Sequence, residues 1–244
     1  MRTVIVGIGG ASCSGKSTLS EWLTRIFANS AIYHMDKHFK ADSYIPVKNG
    51  IQDWDCAEAI DFDAFVADLE RLPTLPVEHI LNPNRPVISD SQVSPTTLQS
   101  LQSLVEKSLL NKPPTRFWFL DGFLLYCDKR VINLMDIKIA LHTRYEELKR
   151  RRGLRAGYQT IEGYWPEPPG YFDNYVWPGY LKYNIPILRA TGELPETKAD
   201  ETQEGAEEVV QEVADLEIFN TEVSSVEEVV KQSVHCIMKH LEKC

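Results

Sequence analysis

Short apolar runs alternate along the chain with longer segments in which apolar residues recur every three or four positions. Short runs rich in β-branched and aromatic residues are typical of buried strands, and the three-to-four spacing is typical of a helix with one buried face. Strands that alternate with helices predict an α/β fold, a parallel sheet flanked by helices on both faces. The runs that predict strands lie at residues 4–6, 31–34, 116–120, 135–141 and 216–219.

Polar residues at the borders of the helical segments predict where helices begin. A Ser-Pro pair is favoured at a helix start, and Ser, Thr or Asp three residues before Glu has the spacing of a capping box. Asp55 has a second interpretation as a functional residue, and the sequence leaves the two open. The predicted starts are Ser94–Pro95, Asp55–Glu58, Thr143–Glu146 and, for the last helix, Ser224 or Ser225.

A glycine-rich stretch joins the first predicted strand to the first predicted helix. From Gly10 to Ser17 it matches the phosphate-binding pattern G-x-x-x-x-G-K-[ST]. Its glycines let backbone N–H groups point at phosphate oxygens, Lys16 can reach the β- and γ-phosphates, and the Ser17 hydroxyl can bind Mg²⁺. A surface turn is the alternative, but the strand before and the helix after favour a triphosphate site. Its candidate residues are Gly10, Ala11, Ser12, Cys13, Ser14, Gly15, Lys16, Ser17 and Thr18.

Two acidic residues follow predicted strands. Asp36 comes after the strand at 31–34, and Asp121 comes after the run at 116–120. Residues past the carboxyl ends of parallel strands face the ligand crevice, so both acids are expected near the phosphate loop. Asp36 is the candidate general base, with a helix cap or turn residue as the alternative. Asp121 takes the position of a second Mg²⁺-binding acid, with a turn residue as the alternative.

A cluster of cations follows the fourth predicted strand. Such a cluster is usually a solvated surface. Beside a triphosphate site it also suits a lid, over about residues 150–168, whose arginines neutralise charge on the transferred phosphoryl group. The five cations within seven residues are Lys149, Arg150, Arg151, Arg152 and Arg155.

Residues 157–183 are dense in aromatic residues, prolines and glycines. This composition is compatible with a stiff packed surface segment. It is also compatible with a wall against which a flat ring can stack.

The charge of the chain is concentrated in one segment. The formal net charge is −9, and residues 190–217 contain ten acids and one base, so the remainder is neutral. We expect a mobile acidic insert at about 190–215 within one domain that covers residues 1–244. A nucleic-acid-binding surface is not indicated, because the rest of the chain carries no net positive charge.

The rest of the composition is that of an ordinary globular protein, with 43% hydrophobic and 25% charged residues. No apolar run approaches the roughly 20 residues that span a bilayer, and the first strand begins too early for a signal peptide. The five cysteines include no C-x-x-C pair, which makes structural disulfides and a zinc site unexpected. These features predict a cytoplasmic protein, with nuclear access left open, and neither a membrane nor an obligate protein partner.

A triphosphate site serves either a phosphotransferase or a nucleotide-dependent switch. A GTPase switch needs a base-reading N-K-x-D motif, which the stretches around Asn49–Gly50 and Asp121–Phe123 do not supply. A transferase needs Mg²⁺, an acceptor hydroxyl and a group that takes its proton, for which Asp36 is the candidate. The sequence therefore favours a transferase.

Several longer stretches then point to one family. They are GGASCSGKST, IPVKNGIQDWD, LDGFLLY, YEELKRRRG, GYQT and PGYFDNYVWPGYLKY. Together they resemble the fungal and animal nicotinamide riboside kinases over roughly residues 1–188 and the last strand and helix. The resemblance implies a P-loop kinase fold of the uridine-kinase-like branch, with an arginine-bearing lid. It also implies ATP-dependent phosphorylation of the ribose 5′-hydroxyl of nicotinamide riboside, with Mg²⁺, in NAD synthesis.

The resemblance also implies roles for individual residues. Asp36 is similar to the general base, with Lys16 and Arg152 as the other catalytic residues. The implied metal-binding residues are Ser17, Asp36 and Asp121. Arg151 and Arg155 fall where the lid meets ATP. The implied substrate-binding residues are Asp36, Phe39, Trp54, Asp55, Arg152, Tyr158 and Gln159, with Trp54 and Tyr158 on the two faces of the pyridine ring.

One departure from the family pattern concerns the catalytic turn. The family often has Asp-Asp-Phe after the second strand, whereas this chain has Asp36-Lys37-His38-Phe39. A cation beside Asp36 is expected to lower its pKa or to perturb metal binding. This departure leaves open a catalytically inactive module that binds nucleotide or metabolite. A second alternative, independent of Lys37, is a uridine/cytidine kinase of the same branch.

Overall fold

The computed structural model of the protein describes residues 1–77, 88–154, 157–159, 163–190 and 213–243. Its strands are β1 (Arg2–Gly10), β2 (Ser30–His34), β3 (Val47–Lys48), β4 (Ile51–Gln52), β5 (Thr115–Asp121), β6 (Ile137–His142), β7 (Tyr158–Gln159), β8 (Tyr164–Trp165) and β9 (Leu216–Asn220). Its helices are α1 (Lys16–Ile26), α2 (Phe62–Arg71), α3 (Pro95–Leu109), α4 (Lys129–Asn133), α5 (Tyr145–Arg152), α6 (Trp177–Tyr183), α7 (Ile185–Ala190) and α8 (Val226–Lys243).

The five strands predicted from apolar runs form one parallel sheet. Its order is β2-β5-β1-β6-β9, and every neighbouring pair is parallel. Two short antiparallel pairs, β3 with β4 and β7 with β8, lie outside it. The α/β prediction is therefore confirmed, and the strand borders move by one to two residues at most ends.

Alternate residues of the central strand pack against different helices. Val4, Val6 and Ile8 of β1 belong to a core that also contains the apolar faces of α1, α3 and α8. Ile5 belongs to a second core with residues of α2, α4, α6 and α7. Because side chains alternate across a strand, these two cores lie on opposite faces of the sheet. The helices on both faces that the sequence predicts are thus present.

The capping interpretation that the sequence left open for Asp55 is wrong, and so is the cap predicted at Thr143. Asp55 does not cap a helix, because residues Ala57–Ala59 form only a 3₁₀ turn and Ile60 then bridges to Phe39. Helix α2 begins later, and its cap is Asp61, whose carboxylate accepts a hydrogen bond from the Ala64 N–H at 3.0 Å. The spacing of a capping box at Asp55–Glu58 is therefore not followed by a helix, because the backbone at Ile60 pairs with Phe39.

The second wrong cap is Thr143. Arg144 precedes α5, with no side-chain cap, and the Thr143 hydroxyl bonds instead to the Thr221 hydroxyl after β9. The predicted caps at Ser94 and Ser225 are confirmed, since each hydroxyl accepts a backbone N–H three residues later at 3.2 Å.

The ends of three strands define the crevice. β1 lies between β5 and β6, so the chain after Gly10 leaves the sheet where the strand order reverses. Ligands bind at such a point in open α/β sheets. In the same region, His34 ends β2 and Asp121 ends β5, and the two residues are partners in the strand register.

The predicted acidic insert at about 190–215 lies mostly outside the described residues, because residues 191–212 are not among them. Within the described part of the chain, no helix is both long and apolar enough to cross a membrane.

Candidate active site

The loop between β1 and α1 has the backbone of a phosphate cradle. Gly10 and Gly15 have φ angles of 135° and 102°, and Cys13 has a φ of 67°. A Cβ atom at Gly10 would lie 2.3 Å from the Leu141 carbonyl oxygen of β6, so only glycine fits there. At Gly15, no atom lies within 4 Å of such a Cβ, which leaves open space beside the first turn of α1. N–H groups at the start of a helix and in such a loop bind anions.

Lys16 lies folded against this loop. Its amino group donates a 2.8 Å hydrogen bond to the Ala11 carbonyl, and the residue is almost fully buried. Helix α1 therefore begins with a cation held at the centre of the cradle. A point charge on a flexible stem can turn from that carbonyl to a phosphate oxygen.

Asp121 is the acid on which the sheet and the phosphate loop converge. Burial acts to raise the pKa of its carboxyl group, but contacts with His34, the charge of Lys16 and a hydrogen bond from Ser17 outweigh it and hold the pKa below its ordinary value. The distance between His34 Nδ1 and Asp121 Oδ2 is 3.3 Å. The ionised carboxylate therefore lies beside the hydroxyl and the amine that the phosphate-binding pattern predicts as ligands.

Asp36 lies in a short 3₁₀ turn, Met35–His38, directly after β2. The Lys37 amino group lies over the Tyr33 ring, 4.8 Å from its centroid. Burial lowers the Lys37 pKa, and the acid that opposes this shift is Asp68. The Lys37 amino group is thus placed to interact with the Tyr33 ring and with the charge of Asp68.

Asp55 is held by a buried tyrosine. The Tyr171 hydroxyl accepts a 2.8 Å hydrogen bond from the Trp54 backbone N–H and also bonds to the Asp55 carboxyl group. Burial raises the pKa of Asp55 to about 6, and Arg152 opposes that shift while Asp53 adds to it. Tyr171 thereby fixes the positions of two adjacent residues that the sequence assigns to substrate binding.

Arg152 joins the phosphate loop to the segment after β8. Its Nη1 donates to the Ser12 hydroxyl at 2.6 Å, and its Nε donates to a Glu167 carboxylate oxygen at 2.6 Å. The residue is only 6% exposed, although it lies at the end of a strongly cationic helix. Its charge also acts on Asp55. One guanidinium thus lies between the triphosphate cradle and the Asp55 carboxylate.

Comparison with known proteins gives the family. The chain is 44% identical over 186 residues to the nicotinamide riboside kinase of Schizosaccharomyces pombe, which covers 74% of this chain and 78% of that protein. It is 31% identical over 220 residues to human nicotinamide riboside kinase 1, covering 88% of this chain and 96% of that protein. The chain belongs to the nicotinamide riboside kinase family. No protein-family model matches the chain.

Two solved kinases of other kinds have only weak structural similarity to the chain. A thymidylate kinase from Candida albicans is 14% identical, with a TM-score of 0.39 over 98% of this chain and 92% of that chain. A sugar kinase from Janibacter sp. HTCC2649 has a TM-score of 0.41 at 12% identity, over 96% of this chain and 94% of that chain.

An aromatic group lies beside Asp55 in this family member. The Trp54 ring contacts the rings of Phe39 and Trp165, with centroids 5.4 Å and 6.3 Å apart. Phe39 also stacks on Phe123 at 5.9 Å. Of the residues predicted to bind substrate, the structure thus brings together Phe39, Trp54, Asp55 and Arg152.

Three predicted site residues are described less fully or not at all. The backbones of Tyr158 and Gln159 form β7, and Tyr158 is the register partner of Trp165, whose ring contacts Trp54. Arg155 lies outside the described residues.

Arg151 also contacts the phosphate loop, through the backbone of Cys13. The Arg151 guanidinium donates to a Glu147 carboxylate oxygen at 2.7 Å, to the Thr221 carbonyl at 2.9 Å and to the Cys13 carbonyl at 3.4 Å. The Thr221 hydroxyl in turn donates to the Ser14 carbonyl at 2.8 Å. The end of β9 therefore supports the cradle, a role that nothing in the local sequence around Thr221 signals.

The oxygen ligands near the cradle are of the kind that Mg²⁺ prefers. Among the described residues, no cluster of three or more His, Cys, Asp or Glu side chains can hold a metal ion. Mg²⁺ in phosphotransferases is bound by one or two protein oxygens and by phosphate oxygens, so it needs no such cluster. The Ser17 hydroxyl next to the ionised Asp121 carboxylate fits this requirement.

Proposed function

We propose that this protein transfers the γ-phosphoryl group of ATP to the ribose 5′-hydroxyl of nicotinamide riboside, which yields nicotinamide mononucleotide for NAD synthesis. A bond forms between the 5′-oxygen and the γ-phosphorus, and the bond from that phosphorus to the β,γ-bridging oxygen breaks. The hydroxyl proton passes to Asp36, and ADP leaves. The partners required are ATP and a small riboside.

Asp36 is proposed as the base because its turn follows the β2 end that contacts Asp121. His34, two residues earlier, lies against Asp121, which in turn bonds to Ser17 in the phosphate loop. A base must lie within hydrogen-bond reach of the proton that it takes, next to the γ-phosphate. The turn lies at the same edge of the sheet as Asp121, which supports the proposed role of Asp36.

Lys16, Ser17 and Asp121 are proposed to bind the triphosphate and Mg²⁺. Bound there, Mg²⁺ would neutralise charge that develops on the transferred phosphoryl group. Ser17 and Asp121 supply oxygen atoms, with Asp36 as the third candidate ligand. Lys16 leaves the Ala11 carbonyl and donates to a phosphate oxygen, while Arg151 stabilises the loop from the β9 side.

Asp55 and Arg152 are proposed to bind the ribose hydroxyls. An ionised carboxylate accepts hydrogen bonds from hydroxyl groups, and a guanidinium donates to their oxygens. The charge of Arg152 acts on Asp55, and Glu167 and Ser12 fix the guanidinium plane. Trp54 is proposed to lie against the pyridinium ring, with Tyr158 on the opposite face.

The observation that carries this proposal is the Arg152 guanidinium, bonded to the phosphate loop and placed to act on Asp55. The test is an assay of the purified protein with ATP, Mg²⁺ and, separately, nicotinamide riboside, uridine and cytidine. Nicotinamide riboside is expected to give product with the highest kcat/KM. Faster phosphorylation of uridine or cytidine would contradict the proposed specificity.

Replacing Trp54 by Ala is expected to weaken riboside binding and to leave ATP binding unchanged. A cationic ring against an indole is stabilised by about 0.5–2 kcal/mol, which corresponds to roughly a 2- to 30-fold rise in the riboside Kd. Calorimetric titration of each ligand measures both effects. Trp54→Phe is the matched control, since it keeps a flat face and should recover part of the affinity. Equal losses for ATP and riboside would contradict the stacking role.

Riboside affinity is expected to fall as the pH drops through about 6. Burial raises the pKa of Asp55 to about 6, so the carboxylate that accepts the ribose hydroxyls is ionised above that pH and protonated below it. The groups that face it are Arg152, Asp53, Tyr171 and Glu167. The riboside Kd, measured without ATP, should rise about tenfold between pH 7 and pH 5.

The control for this pH dependence is Asp55→Asn, which has no group to titrate at that position. Its riboside Kd should be high at pH 7 and should change little on acidification. The same slope in the variant and in the unaltered protein would show that another group causes the pH dependence.

A further inference from the structure

His34 and Asp121 form a buried pair behind the phosphate loop. They end the neighbouring strands β2 and β5 and are partners in the register, which brings their side chains to the same point of the sheet edge. His34 is 3% exposed and Asp121 is 6% exposed. The contact is thus shielded from water. Removing one partner of a buried hydrogen bond is costly, because water does not replace it.

The chemistry of the contact fixes which atom donates. An ionised carboxylate only accepts hydrogen bonds, so the Nδ1 atom of His34, 3.3 Å from Asp121 Oδ2, carries the proton. Asp121 also accepts a hydrogen bond from Ser17 and lies within the field of Lys16. The histidine and the phosphate-loop residue Ser17 therefore both bond to the same carboxylate.

We infer that His34 is a positioning residue, which holds the Asp121 carboxylate toward Ser17 and Lys16 so that the Mg²⁺–ATP half of the site is preorganised. This inference rests on the proposed role of Asp121 in binding Mg²⁺–ATP. Without the Nδ1–H donor, Asp121 keeps its neighbours in the loop but loses the group that restricts its rotation. His34 itself contacts neither nucleotide nor riboside.

The other buried histidine of this region has different partners. His38 Nε2 lies 2.9 Å from the Tyr33 hydroxyl and 3.8 Å from Asp68 Oδ2, and its ring packs near Phe65. It joins the Asp36 turn to helix α2 and does not contact Asp121. His38→Asn is therefore a matched control, a second buried histidine replaced at the same sheet edge.

The experiment compares His34→Ala, His34→Asn and His34→Gln by calorimetric titration with Mg²⁺–ATP and with nicotinamide riboside. Loss of a hydrogen bond to a charged group should raise the Mg²⁺–ATP Kd roughly 10- to 100-fold in His34→Ala, with the riboside Kd within about twofold. The Asn side-chain nitrogen takes the position of Nδ1, so His34→Asn should return to within about threefold of the unaltered protein. The Gln nitrogen lies one carbon farther out and should not rescue.

Three outcomes would overturn the inference. They are an unchanged Mg²⁺–ATP Kd in His34→Ala, a His34→Asn variant as weak as His34→Gln, and losses in His38→Asn equal to those in His34→Ala. If His34→Ala does not fold, the comparison of Asn with Gln still decides, because both variants keep a polar side chain at this position.

Asp121→Asn separates this inference from the proposed function. If Asp121→Asn weakens Mg²⁺–ATP binding and His34→Ala adds no further loss in that background, the histidine acts through Asp121, as inferred. If Asp121→Asn weakens binding but His34→Ala alone does not, the inference fails and the role of Asp121 stands. If Asp121→Asn has no effect, the proposed role of Asp121 fails, and the inference fails with it.

Discussion

Replacement of Asp36 by Asn is expected to lower kcat for nicotinamide riboside by roughly 10²–10⁴-fold, the usual contribution of a positioned general base. The amide cannot take the proton of the 5′-hydroxyl, but it keeps the size and most hydrogen bonds of the carboxylate. The riboside Kd should therefore change little. Single-turnover kinetics at saturating ATP and riboside measure the loss in the chemical step directly.

Lys37→Ala is the matched control for Asp36→Asn, because both residues lie in the Met35–His38 turn. The Lys37 amino group lies over Tyr33, so its removal should lower kcat less than about threefold, within the effect of a weak exposed cation–π contact. Full activity in Asp36→Asn would remove Asp36 from the mechanism. An inactive Lys37→Ala variant would contradict the orientation of that side chain.

Replacement of Arg152 by Ala is expected to affect both stability and turnover. The buried guanidinium lies among Glu167, Asp55 and Ser12, and its loss leaves partly buried carboxylates without their cation. Breaking a buried pair costs about 3–5 kcal/mol; the lower end applies because the Glu167 side chain is 22% exposed. At about 3 kcal/mol, Tm should fall by roughly 6–12 °C, which thermal unfolding measures.

The same substitution should lower kcat/KM for the riboside by about 10²–10³-fold, since the proposed donor to the sugar is lost. The pKa of Asp55 should also rise further above 6, because Arg152 is the cation that opposes the effect of burial. The pH at which riboside affinity falls should therefore move upward in the variant.

Two further variants test whether these losses come from the buried charges. Arg150→Ala removes an arginine from the same helix whose exposed side chain pairs with Glu147, so neither Tm nor riboside kinetics should change appreciably. Adding Glu167→Gln to Arg152→Ala should restore part of the lost Tm, because one uncompensated carboxylate is removed. Equal losses of Tm and of riboside kcat/KM in Arg150→Ala and Arg152→Ala would contradict the assignment of these losses to the contacts of Arg152.

The fold was predictable because its strands are buried on both faces. The run Phe117–Leu120 and the other apolar runs contain few polar residues, and only a sheet covered by helices on both sides buries them fully. Helix starts were less predictable. Asp55 and Thr143 have the spacing of caps, but the bridge from Ile60 to Phe39 and the bond from Thr143 to Thr221 gave those segments other partners.

In the candidate site too, some residues were predictable from the sequence and others were not. The loop from Gly10 to Ser17 and the acids at strand ends were visible, because their chemistry and their place in the fold are both local patterns. His34, Glu167, Tyr171 and Thr221 were missed. Each acts through contacts with residues at least 15 positions away in the sequence, such as that of the Thr221 hydroxyl with the Ser14 carbonyl, 207 positions earlier. No spacing rule finds such contacts; they emerge when the sheet assembles.

The central claim is that one carboxylate beside the triphosphate cradle faces the hydroxyl of a sugar whose base lies flat against an indole. A crystal structure with Mg²⁺, a non-hydrolysable ATP analogue and nicotinamide riboside tests it most directly. The account predicts Asp36 within hydrogen-bond distance of the 5′-hydroxyl, which points at the γ-phosphate, and the pyridinium ring stacked on Trp54. An Asp36 side chain turned away from the sugar, with the ring bound elsewhere, would contradict it.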